Sequence, residues 1–130
     1  LSDVDVSSGG GRPILSIFAG TPRPVPIAIS MMERHPLGAQ AFMPLSNHEW
    51  LVVVAPTSVD DSAPDFEGLR CFRARGDQGV TYAPNVWHHP LLVLQPQDFL
   101  IADRAGPEGE TGNPNLQEHW EDAPVAVVAV

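Results

Sequence analysis

Lysine is absent from this chain of 130 residues, and cysteine occurs once, as Cys71. Without a lysine amine, the chain cannot form a Schiff base, anchor pyridoxal phosphate or build a Walker-type phosphate loop. A single cysteine excludes an intramolecular disulfide and a thiolate metal cluster, and it fits a reducing compartment, so we expect a cytoplasmic protein. Nor does any segment approach the roughly 18–20 apolar residues that a membrane-spanning helix needs.

Positive charge is scarce as well. The seven arginines are outnumbered by 16 acidic residues, which gives a formal net charge of -9 at pH 7. Phosphate backbones repel such a chain. We therefore expect no nucleic-acid partner, and the lack of a span-length apolar segment predicts no membrane partner.

Proline and glycine are abundant and divide the chain into short segments. The 14 prolines and 11 glycines leave little room for long helices, and the apolar segments between them are short and often β-branched. Residues 1–13 are predicted to form a flexible lead-in, because they are glycine-rich and lack the basic start and apolar run of a signal peptide. Residues 14–130 are predicted to form one all-β domain, a jelly-roll barrel with few short helices.

Nine segments are predicted to be strands. They are Ile14–Phe18, Val25–His35, Gln40–Met43, Glu49–Ala55, Leu69–Ala74, Val80–Tyr82, Trp87–Leu94, Phe99–Asp103 and Val125–Val130. Of these, Glu49–Ala55 (EWLVVVA) is the clearest strand, continuous and β-branched, as expected of a strand that is covered on both faces. The tail Val125–Val130 is uncharged, so we expect it to be paired, either within the barrel or across a two-fold dimer. Leu116–Trp120 is predicted to form one helical turn.

Polar residues interrupt these apolar segments at three places. The first runs from Glu33 through Arg34 and His35 to Gln40, which follows a turn. In a strand, Glu33 and His35 point to one face and Arg34 to the other, and Gln40 could return beside them. An exposed turn with a solvated Glu33–Arg34 pair would explain the same residues.

The second place holds two adjacent histidines, His88 and His89, and the third is Asp103-Arg104 at the end of a predicted strand. Neighbouring residues of a strand face opposite sides, so only one of the histidines can point into a given pocket. The ends of barrel strands commonly carry functional side chains. The alternatives are a core histidine beside a surface histidine, and a surface ion pair that contributes little.

The first two places are similar to the metal-binding motifs of cupin barrels, G-x5-H-x-H-x3-4-E and G-x5-P-x-G-x2-H. In the second motif Asn85 would replace the glycine, because asparagine tolerates a left-handed corner, and the first of the two histidines would then face the interior. The resemblance implies the ligand set Glu33, His35, Gln40 and His88. These nitrogen and oxygen donors suit nickel, zinc, manganese or iron.

Longer motifs identify a narrower family. Glu33–Phe42 (ERHPLGAQAF) resembles the ERHPLGxQAF motif of the ureidoglycolate lyases, and Gly79–Leu91 (GVTYAPNVWHHPL) resembles their GVxYxxxVWHHPL motif. Asp98–Leu100 and Asp103–Arg104 match the DFL…DR segment of the same family. The motifs follow one another in the family's order, with nearly the same spacing.

The resemblance implies a cupin-like double-stranded β-helix, a homodimer, and cleavage of (S)-ureidoglycolate to glyoxylate and urea in allantoin catabolism. It also implies a divalent metal, with nickel, zinc or manganese as candidates. Two other functions remain open at this point. One is a non-catalytic cupin that binds a small acid, and the other is an amidohydrolase that releases ammonia and carbon dioxide from the same substrate.

The chemistry of this substrate fits the residues. Ureidoglycolate breaks down when a base removes its hydroxyl proton and the urea nitrogen leaves in protonated form. This requires a base, an acid and a partner for the carboxylate. The predicted catalytic residues are Glu33 as the base, Asp103 as the second candidate for it, His35 and His88. The predicted substrate-binding residues are Gln40, His89, Arg34 and Arg104, with either arginine holding the carboxylate bidentately.

Overall fold

The computed structural model describes residues 2–130, which fold almost entirely into β-strands. The twelve strands are β1 (Arg12–Gly20), β2 (Ile27–Ile29), β3 (Met31–Arg34), β4 (Gln40–Pro44), β5 (Trp50–Ala55), β6 (Arg70–Ala74), β7 (Val80–Tyr82), β8 (Trp87–His88), β9 (Leu92–Val93), β10 (Gln97–Ala105), β11 (Gln117–Trp120) and β12 (Ala126–Val128). Two short 3-10 helices cover Ser8–Gly10 and Phe66–Gly68. The predicted all-β, cupin-like class is confirmed. In the described part of the chain, helices are too short or too polar to cross a membrane.

The strands form three antiparallel sheets. The first has the order β1-β10-β4-β7, and the second has the order β11-β3-β8-β5-β6 with β9 also paired to β5. A small third sheet pairs β12 with β2. The tail Val125–Val130 is thus paired within its own barrel, which is one of the two arrangements expected for it.

Two hydrophobic cores lie on opposite faces of β5. The inner core, between the two large sheets, consists of Phe42, Trp50, Val52, Ala74, Tyr82, Val93, Phe99 and Ile101. The outer core, between the second sheet and the small sheet, consists of Ile27, Ile29, Met32, Leu51, Val53, Ala55, Trp87 and Leu92. Residues of β5 therefore alternate between two apolar environments, which explains why this strand is a continuous apolar run and confirms that both of its faces are covered.

Trp50 anchors the inner core. Its side chain is 1% exposed, and its ring lies 5.0 Å from the ring of Phe99 at an interplanar angle of 68°. Its indole Nε1 donates a hydrogen bond to the Gln78 carbonyl at 3.2 Å. Edge-to-face aromatic pairs of this kind contribute about 0.5–1.5 kcal/mol beyond the burial of their area.

Two of the predicted strands are divided in the structure. Val25–His35 becomes β2 and β3, which are separated at Ser30 because β2 pairs with β12 while β3 pairs with β8 and β11. Trp87–Leu94 becomes β8 and β9, and both of these short strands pair with β5. A strand that changes neighbours in mid-course keeps its apolar pattern, so the pattern alone does not show the break.

The prediction of a helical turn at Leu116–Trp120 is wrong. Gln117–Trp120 forms β11, which pairs with β3 in the register Gln117 to Arg34 and Trp120 to Met31. The ladder satisfies the backbone groups of a segment that is too short to form a stable helix alone. Strand formation here depends on a partner more than 80 residues earlier, which the local sequence does not reveal.

The segment before β1 contacts the barrel. Val6 is 5% exposed, and the Ala39 N–H donates to the Asp5 carbonyl at 2.8 Å. Strand β1 begins at Arg12, two residues before the predicted start. The flexibility of residues 1–13 and a domain boundary at residue 14 stay predictions, and Leu1 lies outside the described residues.

Candidate active site

Strand β3 delivers its polar residues to the two faces of the second sheet. Glu33 lies directly opposite His88 of β8 in the sheet register, so both side chains leave the sheet on the same face. His35 follows two residues after Glu33 and shares that face. The two sequence motifs, whose residues Glu33 and His88 lie 55 positions apart, therefore meet at one point.

The three side chains form a compact cluster. Glu33 Oε1 lies 3.5 Å from Nε2 of His88 and 3.9 Å from Nε2 of His35, and the two imidazole rings are 5.2 Å apart. One donor atom from each residue lies within 4.8 Å of the others. The structure thus brings together three of the four predicted metal ligands, and we call them the Glu-His-His cluster.

Hydrogen bonds fix the tautomers of both histidines. Nδ1 of His88 lies 2.9 Å from the Val86 carbonyl, and Nδ1 of His35 lies 2.9 Å from the Asn115 carbonyl. Because a carbonyl only accepts, each Nδ1 carries a hydrogen, so the neutral form of each ring presents a lone pair at Nε2 and the protonated form presents an N–H there. Within the described residues, both Nε2 atoms are buried and have no hydrogen-bond partner.

Three electron-pair donors consequently converge in the Glu-His-His cluster, two imidazole nitrogens and a carboxylate oxygen. A divalent cation or a shared proton would stabilise this arrangement. Histidines whose other nitrogen donates to a carbonyl are common ligands of zinc and related metals. The donor set therefore fits the nickel, zinc or manganese that the sequence motifs imply.

The Glu33 carboxyl is ionised near neutral pH. Burial raises its pKa, but the contact with the His88 imidazole and the charges of His88, His35 and His89 together outweigh burial and hold the pKa below its ordinary value. Glu33 is therefore available as a proton acceptor or as an anionic ligand.

Gln40 and Asp103 lie next to the cluster and contact each other. The amide Nε2 of Gln40 donates to Oδ2 of Asp103 at 3.3 Å, and Gln40 lines the same cavity as Glu33. Oε1 of Gln40 and Oδ1 of Asp103 are buried without a hydrogen-bond partner in the described part of the chain. These positions are compatible with Gln40 as a fourth ligand and Asp103 as a second base, and both roles stay predictions.

Tyr82 was not among the residues singled out from the sequence. Its ring stacks on that of His88, with centroids 4.1 Å apart and planes 8° from parallel. Burial raises the pKa of Tyr82, and the charge of Glu33 raises it further, so the hydroxyl stays protonated. The sequence signal that could have pointed to Tyr82 was its place in the second motif, within GVTYAP.

The corner before β8 has the predicted left-handed backbone. Asn85 has φ +70°, and its N–H donates to the His35 carbonyl at 2.9 Å, so it ties one motif to the other. The following histidine pair divides as expected, because His88 enters the cluster while Nδ1 of His89 contacts the Pro90 carbonyl at 2.8 Å. His89 is 4% exposed, and burial lowers its pKa, as does the charge of Arg23.

Arg34 lies on the other side of the second sheet from Glu33. Its guanidinium donates to the side chains of Gln117 and Asp61, each at 2.6 Å, and lies 4.4 Å from the centre of the Trp87 ring. The predicted role in carboxylate binding is not supported by this position, because the donors of Arg34 are already occupied away from the cluster.

Arg104 is likewise occupied by protein groups. It donates to both carboxylate oxygens of Glu110, at 2.9 and 3.2 Å, and to the Ser8 carbonyl at 3.1 Å. It also packs so closely on Gly38 that a Cβ there would lie 2.8 Å from Cβ of Arg104. Arg104 therefore holds the turn after His35 in place, rather than lining the cavity.

A cavity of about 550 Å³ opens beside the cluster. It is lined by Phe18, Ala19, Gly20, Thr21, Arg23, Glu33, Gln40, Phe42, Pro90 and Leu91. Arg23 is the one cationic residue in this lining, and sequence reasoning missed it. Its only signal was its place between two prolines in a chain with few basic residues.

Comparison with known proteins identifies the family. A family model described as ureidoglycolate lyase matches residues 1–128. The chain is 44% identical over 133 residues to a protein of Burkholderia mallei (strain NCTC 10229), with 99% of this chain and 76% of the relative covered. It is 51% identical over 128 residues to one of Agrobacterium fabrum, with 98% and 72% covered, and 48% identical over 122 residues to one of Burkholderia cepacia, with 92% and 67% covered. All three relatives bear the name ureidoglycolate lyase. With its motifs meeting at a single cluster of donor atoms and a family model covering nearly its whole length, the chain belongs to the ureidoglycolate lyase family.

Proposed function

We propose that this protein is an enzyme that cleaves (S)-ureidoglycolate to glyoxylate and urea, a step of allantoin and thus purine catabolism. The observation that carries the proposal is the Glu-His-His cluster, in which both histidine Nε2 atoms are buried without a partner among the described residues and whose Glu33 lines a cavity of small-molecule size. The names of the relatives supply the substrate.

The reaction moves one proton and breaks one carbon–nitrogen bond. A base accepts the proton of the hydroxyl, the oxygen electron pair forms the carbonyl of glyoxylate, and the electrons of the C–N bond pass to the urea nitrogen. That nitrogen takes up a proton and leaves as urea. Because no water is consumed, a single group that accepts the first proton and returns it to nitrogen restores the enzyme.

Glu33 is the group best placed to carry this proton. Its lowered pKa keeps it ionised near neutral pH, yet the same shift makes it a weak base, so the substrate hydroxyl must be made more acidic for the transfer to occur. The stacked ring of Tyr82 keeps the imidazole of His88 in one orientation beside Glu33.

The residues that would hold a divalent cation are His35, His88 and Glu33, with Gln40 as the fourth. When bound, nickel, zinc or manganese would supply Lewis acidity and lower the pKa of a coordinated hydroxyl. Support for this comes from the two buried Nε2 atoms, which have no hydrogen-bond partner within residues 2–130.

Product analysis tests the proposed reaction. Purified protein is incubated with (S)-ureidoglycolate, and glyoxylate, urea and ammonia are measured. Glyoxylate and urea in equal amounts support the lyase. Ammonia without urea would instead support the amidohydrolase, and binding without turnover would support a non-catalytic cupin.

Metal dependence has a readout apart from turnover. The protein is first treated with a chelator, and nickel, zinc or manganese is then added. The added metal should raise the melting temperature, because a ligand that binds the folded protein stabilises it. The same titration of a His35→Ala variant is the control, since it removes one donor of the Glu-His-His cluster. Equal shifts in both proteins would place the metal elsewhere.

We also propose that the protein forms a homodimer through the outer face of the first sheet. Ile17, Leu100 and Met43 lie side by side on this face in the strand register, and they are 59%, 36% and 46% exposed. Leu15, which is 71% exposed, lies beside this row. The side chains of this row are uncharged, which suits contact between two copies that each carry a net charge of -9.

Light scattering tests this assembly. The protein should have twice the mass of one chain, and Ile17→Asp should give monomers. Val59→Asp changes an exposed loop residue and is the matched control. A dimer that survives Ile17→Asp would remove this face from the interface.

We place the protein in the cytoplasm, because its one cysteine, Cys71, is a free thiol.

A further inference from the structure

We propose that Arg23 binds the carboxylate of the substrate and thereby makes the enzyme select an acid over the corresponding neutral amide. This inference rests on the proposed function, and it replaces Arg34 and Arg104 in the role expected for them from the sequence. Ureidoglycolate carries a carboxylate, and the side chain of the acidic residue Glu33 lines the same cavity. A cation that faces the substrate carboxylate would offset the repulsion between the two acidic groups.

Elimination among the cationic side chains points to Arg23. The chain has no lysine and seven arginines. Five of the arginines donate to protein oxygens, namely Arg34, Arg70, Arg73, Arg75 and Arg104. Arg12 and Arg23 make no side-chain hydrogen bond or ion pair with another described residue, and of these two only Arg23 lines the cavity that contains Glu33.

Prolines restrict the backbone around Arg23. Prolines at positions 22, 24 and 26 fix their own φ angles, and they also confine the residues that precede them, including Arg23, to extended conformations. A guanidinium that projects from such a segment loses little backbone freedom when it binds a ligand. The segment therefore presents Arg23 to the cavity at a low entropic cost.

Close packing fixes the point where this segment leaves the barrel. At Gly20, the last residue of β1, a Cβ atom would lie 2.7 Å from Cγ1 of Val93 and 2.8 Å from the Gln97 carbonyl. The segment is held at its other end by Ile27, the buried first residue of β2. Both ends of the arginine-bearing loop are thus attached to well-packed strands.

The guanidinium has the geometry for this task. Its planar donors match the two oxygens of a carboxylate and can form two parallel hydrogen bonds. Glu33 and Gln40 line the same cavity, so a substrate held by its carboxylate at Arg23 would have its hydroxyl and ureido groups toward the Glu-His-His cluster. The cationic and the catalytic parts of the cavity would then act on different ends of one molecule.

The experiment measures kcat and KM of Arg23→Gln and Arg23→Lys with ureidoglycolate and with its neutral primary amide. For the acid, Arg23→Gln should raise KM about 10- to 100-fold while kcat changes little, as expected when a charged hydrogen bond is lost from ground and transition state alike. The KM of Arg23→Lys should lie between those of the wild type and Arg23→Gln, since lysine keeps the charge but lacks the planar pair of donors. For the amide, all three proteins should behave alike.

Arg12→Gln is the matched control, because it removes the other unpaired arginine at a position away from the cavity. It should leave the KM for ureidoglycolate unchanged. An unchanged KM in Arg23→Gln, or an equal loss on acid and amide, would overturn the inference. If the wild-type protein does not cleave ureidoglycolate, the proposed function fails, and calorimetric titration with glyoxylate then tests Arg23 separately. Weaker glyoxylate binding by Arg23→Gln supports the carboxylate site, and equal binding refutes it.

Discussion

Consecutive residues of β3, Glu33 and Arg34, enter two polar clusters on opposite faces of one sheet, and the clusters differ in how completely they are satisfied. On one face, Arg34 donates to Gln117 and Asp61 and lies over Trp87. On the other, Glu33 lies beside two imidazoles whose Nε2 atoms have no hydrogen-bond partner in the described chain.

The difference distinguishes a guanidinium with its hydrogen bonds satisfied from a cluster with unpartnered donor atoms. Buried polar groups in native proteins are nearly always hydrogen-bonded, because an unsatisfied group costs about 1–3 kcal/mol. The Arg34 guanidinium obeys this rule and joins β3 to β11 and to the loop after β5, although Nε1 of Trp87 beneath it has no hydrogen-bond partner in the described chain. The Glu33 side departs from it, and such departures are expected where a ligand completes the site.

The largest expected effect is the removal of an imidazole from the unsatisfied side. His88→Ala should lower kcat by at least about 10²–10⁴-fold, since the change removes an acid–base or metal-binding group. His89→Ala is the control and should cost less in rate and more in stability. Steady-state kinetics with circular dichroism measures both. Equal losses of activity would mean that the two histidines do not divide between site and core.

Glu33→Gln keeps the shape of the side chain and removes the charge. We expect kcat to fall by about 10²-fold or more while KM stays nearly constant, because the proton acceptor is lost and the contacts remain. Glu49→Gln, at an exposed position paired with Arg73, is the matched control and should leave kcat unchanged. Full activity of Glu33→Gln would move the base to Asp103.

Arg34→Leu should show the opposite behaviour, with lower stability and retained activity. The change removes charged hydrogen bonds from a buried side chain, so the free energy of unfolding should fall by about 1.5–3 kcal/mol. Urea denaturation measures it, with Arg75→Gln as a control that removes an exposed ion pair of little value. A large loss of kcat at unchanged stability would contradict the structural role of Arg34.

The smallest effect concerns acid stability on the Arg34 side. The hydrogen bond from Arg34, with help from Thr57, holds the pKa of Asp61 below its ordinary value of 3.8. Because the pKa is lower in the folded state, the carboxylate contributes stability above pH 3.8, and this contribution is lost as the pH falls through the folded-state pKa. Wild type should therefore be more stable than Asp61→Asn near neutral pH and should converge with it in acid. A constant difference down to pH 2 would exclude the linkage.

What the sequence could predict was local. The alternation of a strand places Glu33 and His35 on one face, and asparagine at a left-handed corner predicts the position of His88, because both rules involve only neighbouring residues. The meeting of the two motifs was predicted through family resemblance, and the strand register between Glu33 and His88 now provides its geometric reason.

What the sequence could not predict depends on distant partners. Arg34 was a candidate for binding substrate until its partners became known, and these lie 27 and 83 residues further along the chain. Arg23 was overlooked for the same reason, since nothing near it shows that its loop borders the cavity of Glu33. The helical turn expected at Leu116–Trp120 was wrong because its pairing partner is β3.

The pairing of late strands with early ones sets an order of events during synthesis. Strands β10, β11 and β12 pair with β1, β3 and β2, and the carbonyl that orients His35 belongs to Asn115. A ribosome that adds about 5–20 residues per second delivers the early strands seconds before the strands that cover them. A nascent chain therefore holds β1, β2 and β3 unpaired on those sides for that time, and the Glu-His-His cluster acquires its final geometry only after Asn115 has emerged.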